Sequence, residues 1–344
     1  MSRRSLTLAI AGLATVAAIA VAVLFPVPYV ILTPGPTLNT LGSDSSGKPL
    51  ISITGHQTYP TRGNLNMVTI SYSGGPGVDL NVFQAISAWL NSSDAVVPES
   101  ELFPPGQSQQ QTQQQDTQQM TSSQELATAA ALTQLHIKYQ TNVEVASTVP
   151  GYPASKVLKA GDIIEAVNGQ PVTGASALSS MIKARPAGST LQLTVLRNGK
   201  TLTILVASKS SGGTPVIGVQ VQQQYQFPFN VKISVGDIGG PSAGMMFALG
   251  IIDKLTPMNL TGGKFIAGTG EITPAGQVGP IGGIQQKMVA ARSAGATVFL
   301  APAGNCSDTA GAIPAGLKVV KVSTLSGAIS DLEALKAGQP VPSC

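Results

Sequence analysis

Charge is scarce in this sequence. Asp, Glu, Lys and Arg make up 10% of its 344 residues and aromatics 4%, with two histidines, two cysteines and a single tryptophan. Each shortage removes a class of function. The formal net charge is only +4 and no run of Lys or Arg alternates with aromatics, so nucleic acid is not expected as a partner. His56 lies in an uninformative Gly-His-Gln stretch far from His136, so neither a zinc centre nor a Ser-His-Asp triad finds the residues it needs. A nucleotide-binding loop is missing too. Asn198-Gly-Lys-Thr201 echoes the end of one, but Thr194 stands where its first glycine should be, and the segment reads as a hairpin turn. No metal and no cofactor is called for. What the chain does have in quantity is glycine (38) and proline (24), which suits many turns between short strands.

Long apolar runs are also few, and the clearest one opens the chain. Met1-Ser-Arg3-Arg4 precedes an uncharged run from Leu6 to Phe25, about 20 residues and enough to cross a bilayer, closed by Pro26 and Pro28. Arginines ahead of the run hold the N-terminus in the cytoplasm. Residues 1–27 are thus expected to be a cytoplasmic tip and a single-pass anchor in the lipid of the cell membrane, with the bulk of the chain extracytoplasmic. A cleaved signal peptide is the competing reading, because Ala18-Ile-Ala20 and Ala20-Val-Ala22 fit the small-residue cleavage pattern. The anchor is favoured because the apolar run continues past both sites. On the outer side an oxidising compartment permits a disulfide between Cys306 and Cys344, which would staple the C-terminal tail; two free thiols are the alternative.

Residues 28–91 read as β-rich, with strand patterns at Tyr29–Leu32, Leu50–Ile53 and Met67–Tyr72. Leu80, Val82, Phe83, Ile86, Trp89 and Leu90 follow at helical spacing, which predicts an amphipathic helix with Trp89 in the core. This block is small for a domain and is expected to complete the catalytic domain, the middle of the chain being inserted. Residues 92–124 are dense in glutamine and form a linker or a solvated helix, to which no chemistry is assigned.

Chemistry concentrates further on. In Val235-Gly-Asp-Ile-Gly-Gly-Pro-Ser242-Ala-Gly-Met-Met-Phe247, Gly239, Gly240 and Pro241 force a tight turn, and an apolar helical run follows. Ser242 therefore sits at a helix N-terminus, as a simple cap or as a nucleophile. A second glycine turn, Gly279-Pro-Ile-Gly-Gly283, opens a helix that Gly295 closes. There Lys287 shares an apolar face with Ile284, Met288 and Ala291. Burial lowers a lysine pKa and can make it a general base, whereas snorkelling to solvent would leave it inert.

Gly240-Pro-Ser-Ala-Gly244, Thr269-Gly-Glu-Ile272, Gly276-Gln-Val278 and Pro280-Ile-Gly-Gly283 with Lys287 resemble the proteolytic domain of the Lon family, over about the last 120 residues. The resemblance implies a serine–lysine dyad, Ser242 as nucleophile and Lys287 as base. It makes Thr269 the residue that orients the amine, with Gly240 and Pro241 in support. It also implies a homo-oligomer. Lon sequences often carry a second basic residue just before the lysine, where this chain has Gln285 and Gln286.

Residues 125–210 carry a second resemblance. Leu158-Lys-Ala-Gly-Asp-Ile-Ile-Glu-Ala-Val-Asn-Gly169, a helical Ala177–Ile182 and a hairpin turning at Asn198-Gly199 are similar to a PDZ domain. The resemblance implies capture of an extended peptide, and Leu135, His136, Ile137, Lys138 and Tyr139 are the expected groove, although the glycines of a carboxylate loop are absent there. Residues 211–344 are then the Lon-like domain. The fold class expected is α+β: a Lon-type proteolytic domain plus a PDZ domain behind one transmembrane helix. The function expected is an ATP-independent serine endopeptidase that takes extended or misfolded extracytoplasmic or membrane protein segments. The alternative is a non-catalytic, membrane-anchored PDZ scaffold.

Overall fold

Strand Asn64–Ser73 and strand Phe265–Gly268 belong to opposite ends of the sequence yet lie side by side in parallel, Leu65 opposite Ile266 and Met67 opposite Gly268. The computed structural model describes residues 3–44 and 46–344. Within them the chain separates into two compact units, 1–137 with 229–344 and 138–228. Met1 and Ser2, the tip of the expected anchor, lie outside the described residues.

The first unit is built on a mixed six-stranded sheet in the order Lys318–Val322, Val298–Pro302, Phe265–Gly268, Asn64–Ser73, Tyr29–Asn39, Ala95–Pro98. The first four run parallel and the last two are antiparallel to their neighbours. Val298–Pro302 is buried along its whole length, as an inner parallel strand covered on both faces should be. Two helices pack against this sheet. Gly244–Leu255 is buried on nearly every side rather than along one stripe, with Met245, Met246, Phe247 and Leu249 fully enclosed. Ile284–Ser293 buries Ile284, Met288 and Ala291 against Phe299, Val319 and Val68. An apolar helix, Arg3–Leu24, precedes the sheet, and its membrane-length span is not buried within the unit.

The glutamine-rich stretch is ordered. Gln109–Gln134 is one helix of 26 residues, opened by a capping box in which Ser108 accepts from the Gln111 amide and Gln111 returns the bond. Its polar first half gives way to a buried run through Ala127–Leu132. This helix crosses the boundary expected at residue 125 and belongs to the first unit, because those alanines and Leu132 give its second half an apolar surface to bury. Trp89 also departs from expectation. It is 77% exposed at the end of the helix Val82–Trp89, which packs Ala88 inward instead.

The second unit orders its strands Lys200–Ala207, Thr190–Arg197, Ile163–Val167, Gln140–Thr148, Val219–Gln226, with the helix Ala175–Lys183 against them. Asn198 and Gly199 both take positive φ, 52° and 76°, the two-residue turn that their sequence favours. Val219–Gln226 was expected in the Lon-like block. It instead pairs along its length with Gln140–Thr148, and its alternating pattern buries only one face.

Candidate active site

Two glycine-opened segments meet at one hydrogen bond. In the turn before Ser242, Gly240 has φ +86°, a conformation that a side chain would strain. At Gly239 a Cβ would meet the Asp116 Cβ at 2.5 Å, so the glutamine-rich helix leaves room there only for glycine. Ala243, not Ser242, caps the helix Gly244–Leu255, and no side chain bonds to the helix start. The serine hydroxyl is therefore not used as a cap. It accepts a hydrogen bond of 2.8 Å from Lys287 Nζ.

Lys287 reaches that point from the first turn of its own helix, whose backbone enters through Gly283 in the left-handed conformation (φ +67°). Asn305 brackets the preceding turn, accepting from the Ile281 amide at 2.8 Å and donating to the Ile281 carbonyl at 2.9 Å. The lysine is 3% exposed. Burial pushes its pKa down to about 8, and the carboxylate of Glu271 offsets part of that shift. It does not snorkel.

Thr269 is the third member of the cluster. Fully buried, its hydroxyl accepts from Lys287 Nζ at 3.2 Å and donates to the Ser242 carbonyl at 2.9 Å. The Gly270 amide donates to the same carbonyl at 2.7 Å. The Thr-Gly-Glu turn thus fixes the serine backbone and the lysine head together. Gln286 is buried on the lysine helix, and Gln285 Nε2 donates to the Asp308 carbonyl, so neither supplies a second base.

Sequence reasoning assigned no chemistry to residues 92–124, and there it missed two contacts. The Asp116 carbonyl accepts from the Gly240 amide at 3.0 Å, and buried Ser123 donates from Oγ to the Pro241 carbonyl at 3.0 Å. The glutamine-rich helix also walls a cleft of about 960 Å³ that opens onto Ser242 and Lys287, facing Ile70, Tyr72 and Val235. Desolvation raises the Asp116 pKa, and it raises that of Tyr72, with the Asp116 charge adding to the shift. Polarity was the only signal in the sequence, and it pointed to solvent.

The structure divides the five residues of the expected peptide groove between the two units. Leu135 to Ile137 follow the glutamine-rich helix in the first unit, Leu135 as its C-cap and His136 with φ +57°. Lys138 and Tyr139 begin the second unit, where Tyr139 packs edge-on against Tyr225 and Phe227. The groove of that unit is a cavity of about 330 Å³ between helix Ala175–Lys183 and the segment Pro215–Val221, lined by Leu178, Ile182, Ile217, Val219 and Val221. The strand beside the groove is the last of the unit in sequence, whereas the expectation looked ahead of the first. Cys306 and Cys344 are joined by a disulfide.

Comparison with known proteins finds matches to two parts of the chain. A family model described as the Lon protease (S16) C-terminal proteolytic domain matches residues 221–332, and a PDZ domain model matches residues 113–207. The latter reaches back into the glutamine-rich helix, while the strands of that fold lie within 138–228. A Lon protease of Heliobacterium modesticaldum is 31% identical over 154 residues, covering 42% of this chain and 18% of that protein. Lon protease 1 of Bacillus subtilis is 32% identical over 97 residues, covering 28% and 12%. The chain spans less than a fifth of the length of these relatives. Among solved structures, the PDZ domain of an SdrC-like protein from Listeria monocytogenes is 26% identical, covering 23% of this chain and 85% of that one with a TM-score of 0.22. Residues 221–332 of this chain thus match the proteolytic domain of Lon proteases, and residues 113–207 match a PDZ domain.

Proposed function

We propose that the chain is a serine endopeptidase with Ser242 as nucleophile and Lys287 as general base. The observation that carries this reading is the 2.8 Å bond between the buried amine and the serine hydroxyl. With its pKa near 8, a useful fraction of Lys287 is neutral at pH 7–8. It takes the hydroxyl proton as Oγ attacks the peptide carbonyl carbon, and returns it to the departing amine as the tetrahedral species collapses to an ester. Water, relieved of a proton by the same amine, then attacks the ester, which releases the acid product and restores Ser242. Thr269 holds the amine on line. The Gly240 amide is already bonded to Asp116, so the oxyanion falls to the amides of Ser242 and Ala243 at the helix start. Such a donor contributes on the order of 3 kcal/mol.

Substrates are protein segments that arrive already extended, with no ATP-driven unfolding, and the groove between Ala175–Lys183 and Val219–Gln226 is the site that presents them. The outermost strand of a sheet beside an apolar helix suits an added peptide strand. The helix Arg3–Leu24 anchors the chain in the membrane with its functional units on the outer side. A length and composition that match a bilayer and the two arginines at its start support this.

The test is cleavage of an unfolded protein by the full chain in nucleotide-free buffer. Ser242→Ala and Lys287→Ala should each lower kcat by roughly 10⁴- to 10⁶-fold. Cleavage that persists in both variants removes the dyad.

A further inference from the structure

The helix Val82–Trp89 is amphipathic the wrong way round. Its buried position is Ala88, with Val82 and Ala85 half-buried, while Phe83, Ile86, Trp89 and Leu90 are 58%, 52%, 77% and 74% exposed. At helical spacing these four lie on one outward face. A helix packed on a water-soluble unit points its large apolar side chains inward and its small ones outward. No residue from Val82 to Leu90 carries a charge.

Its position says what covers that face. Phe25, 63% exposed, directly follows the apolar helix Arg3–Leu24. Pro26 and Val27 then pair antiparallel with Asn81 and Leu80, and Asn81 is itself the N-cap of Val82–Trp89. A two-residue strand pair thus separates the end of the apolar helix from the start of the inverted one, and the two helices touch. An exposed patch containing the only tryptophan and two phenylalanines, set beside the end of a membrane-length helix, has the chemistry of the headgroup layer.

We infer that Phe25, Phe83, Ile86, Trp89 and Leu90 form a docking face that lies in the interfacial layer of a lipid bilayer, the one crossed by Arg3–Leu24. The inference rests on the anchor reading proposed above. Two points of attachment, one spanning and one lying flat, hold the sheet-bearing unit at the membrane surface. The face is uncharged, so its docking is independent of anionic lipid.

Trp89 is the only tryptophan, so its fluorescence reports this face alone. The full chain is reconstituted in vesicles of phosphatidylcholine, with and without phosphatidylglycerol, carrying a nitroxide quencher at headgroup depth or at the acyl-chain end. Flotation is read on the same samples. The expected result is co-flotation with loss of most Trp89 emission to the headgroup-depth quencher and little loss to the chain-end one, in both compositions. Emission indifferent to both lipid quenchers in a chain that floats overturns the inference and leaves the anchor standing. That holds whether a water-soluble quencher then reaches Trp89, a bare face, or cannot, a face covered by protein or a second copy. Stronger loss to the chain-end quencher places Trp89 in the hydrocarbon and overturns it as well. A chain that stays at the bottom of the gradient overturns the anchor and this inference together.

Discussion

Lys287 carries two consequences of one shift. A pKa lowered to about 8 by burial means that the neutral, base-competent amine accumulates as pH rises through 8, well before a free lysine would lose its proton at about 10.4. The rate of peptide cleavage should rise with a midpoint near 8, and a midpoint near 10.4 would show the amine to be solvated. The same shift acts on stability. Between 8 and about 10.5 the unfolded chain binds a proton that the folded one does not, so folding gains as pH rises through that window. Below 8 the buried ammonium costs about 3 kcal/mol at 1.36 kcal/mol per unit. Lys287→Met, of similar shape and without charge, should therefore raise thermal stability at pH 7 and lose that advantage above pH 10. An unchanged melting temperature at pH 7 would mean that the folded site tolerates the charge. Periodicity had already placed Lys287 on an apolar face beside Ile284 and Met288. It left open whether the head reached water, because burial depends on Thr269 and Ser242, which come from other segments.

The glutamine-rich helix shows what an element conceals when composition is all that can be read. Gln109 to Gln119 is too polar to announce a buried partner, yet the helix it opens meets the turn before Ser242 twice, through the Asp116 carbonyl on the Gly240 amide and through the Ser123 hydroxyl on a carbonyl 118 residues later. Ser123 is buried, and its Oγ donates to the Pro241 carbonyl next to Ser242. Ser123→Ala leaves that carbonyl without its donor, worth about 1 kcal/mol when a neutral bond is lost. The expected outcome is a kcat lower by about fivefold with KM little changed, because the cleft wall stays while the turn before Ser242 loosens. A fall in melting temperature with kcat intact would reduce Ser123 to a packing residue. The inverted helix at Val82–Trp89 was misread for a related reason. Its spacing was right, but spacing identifies an apolar face without saying what that face meets.

At the scale of the whole chain, what the sequence displayed best was the order of its motifs and what it displayed worst was where units begin and end. The Thr-Gly-Glu turn and both glycine-opened helices stood out because each needs particular residues at fixed spacing. The strand Val219–Gln226 did not, since an alternating Val-Gln pattern fits either sheet and only pairing decides. The C-terminal tail is a further case of distant parts held together. Cys344 bonds to Cys306, next to Asn305, whose side chain brackets the turn that leads into the lysine helix. The tail also pairs Ser343 with Val320 and takes the Lys321 amide on the Pro342 carbonyl. A bridge spanning 38 positions restricts the unfolded chain by about 4 kcal/mol on the loop-entropy account. The chain has no other cysteine, so a reductant reads this bond alone. Reduction should lower the melting temperature by roughly 10 °C, and Cys344→Ser should reproduce the loss without reductant. If the bond also steadies the lysine turn through Asn305, activity at a temperature well below melting should fall on reduction. Intact activity beside a lowered melting temperature would confine the bridge to the tail, and no change in either would mean that the two thiols are free in the protein.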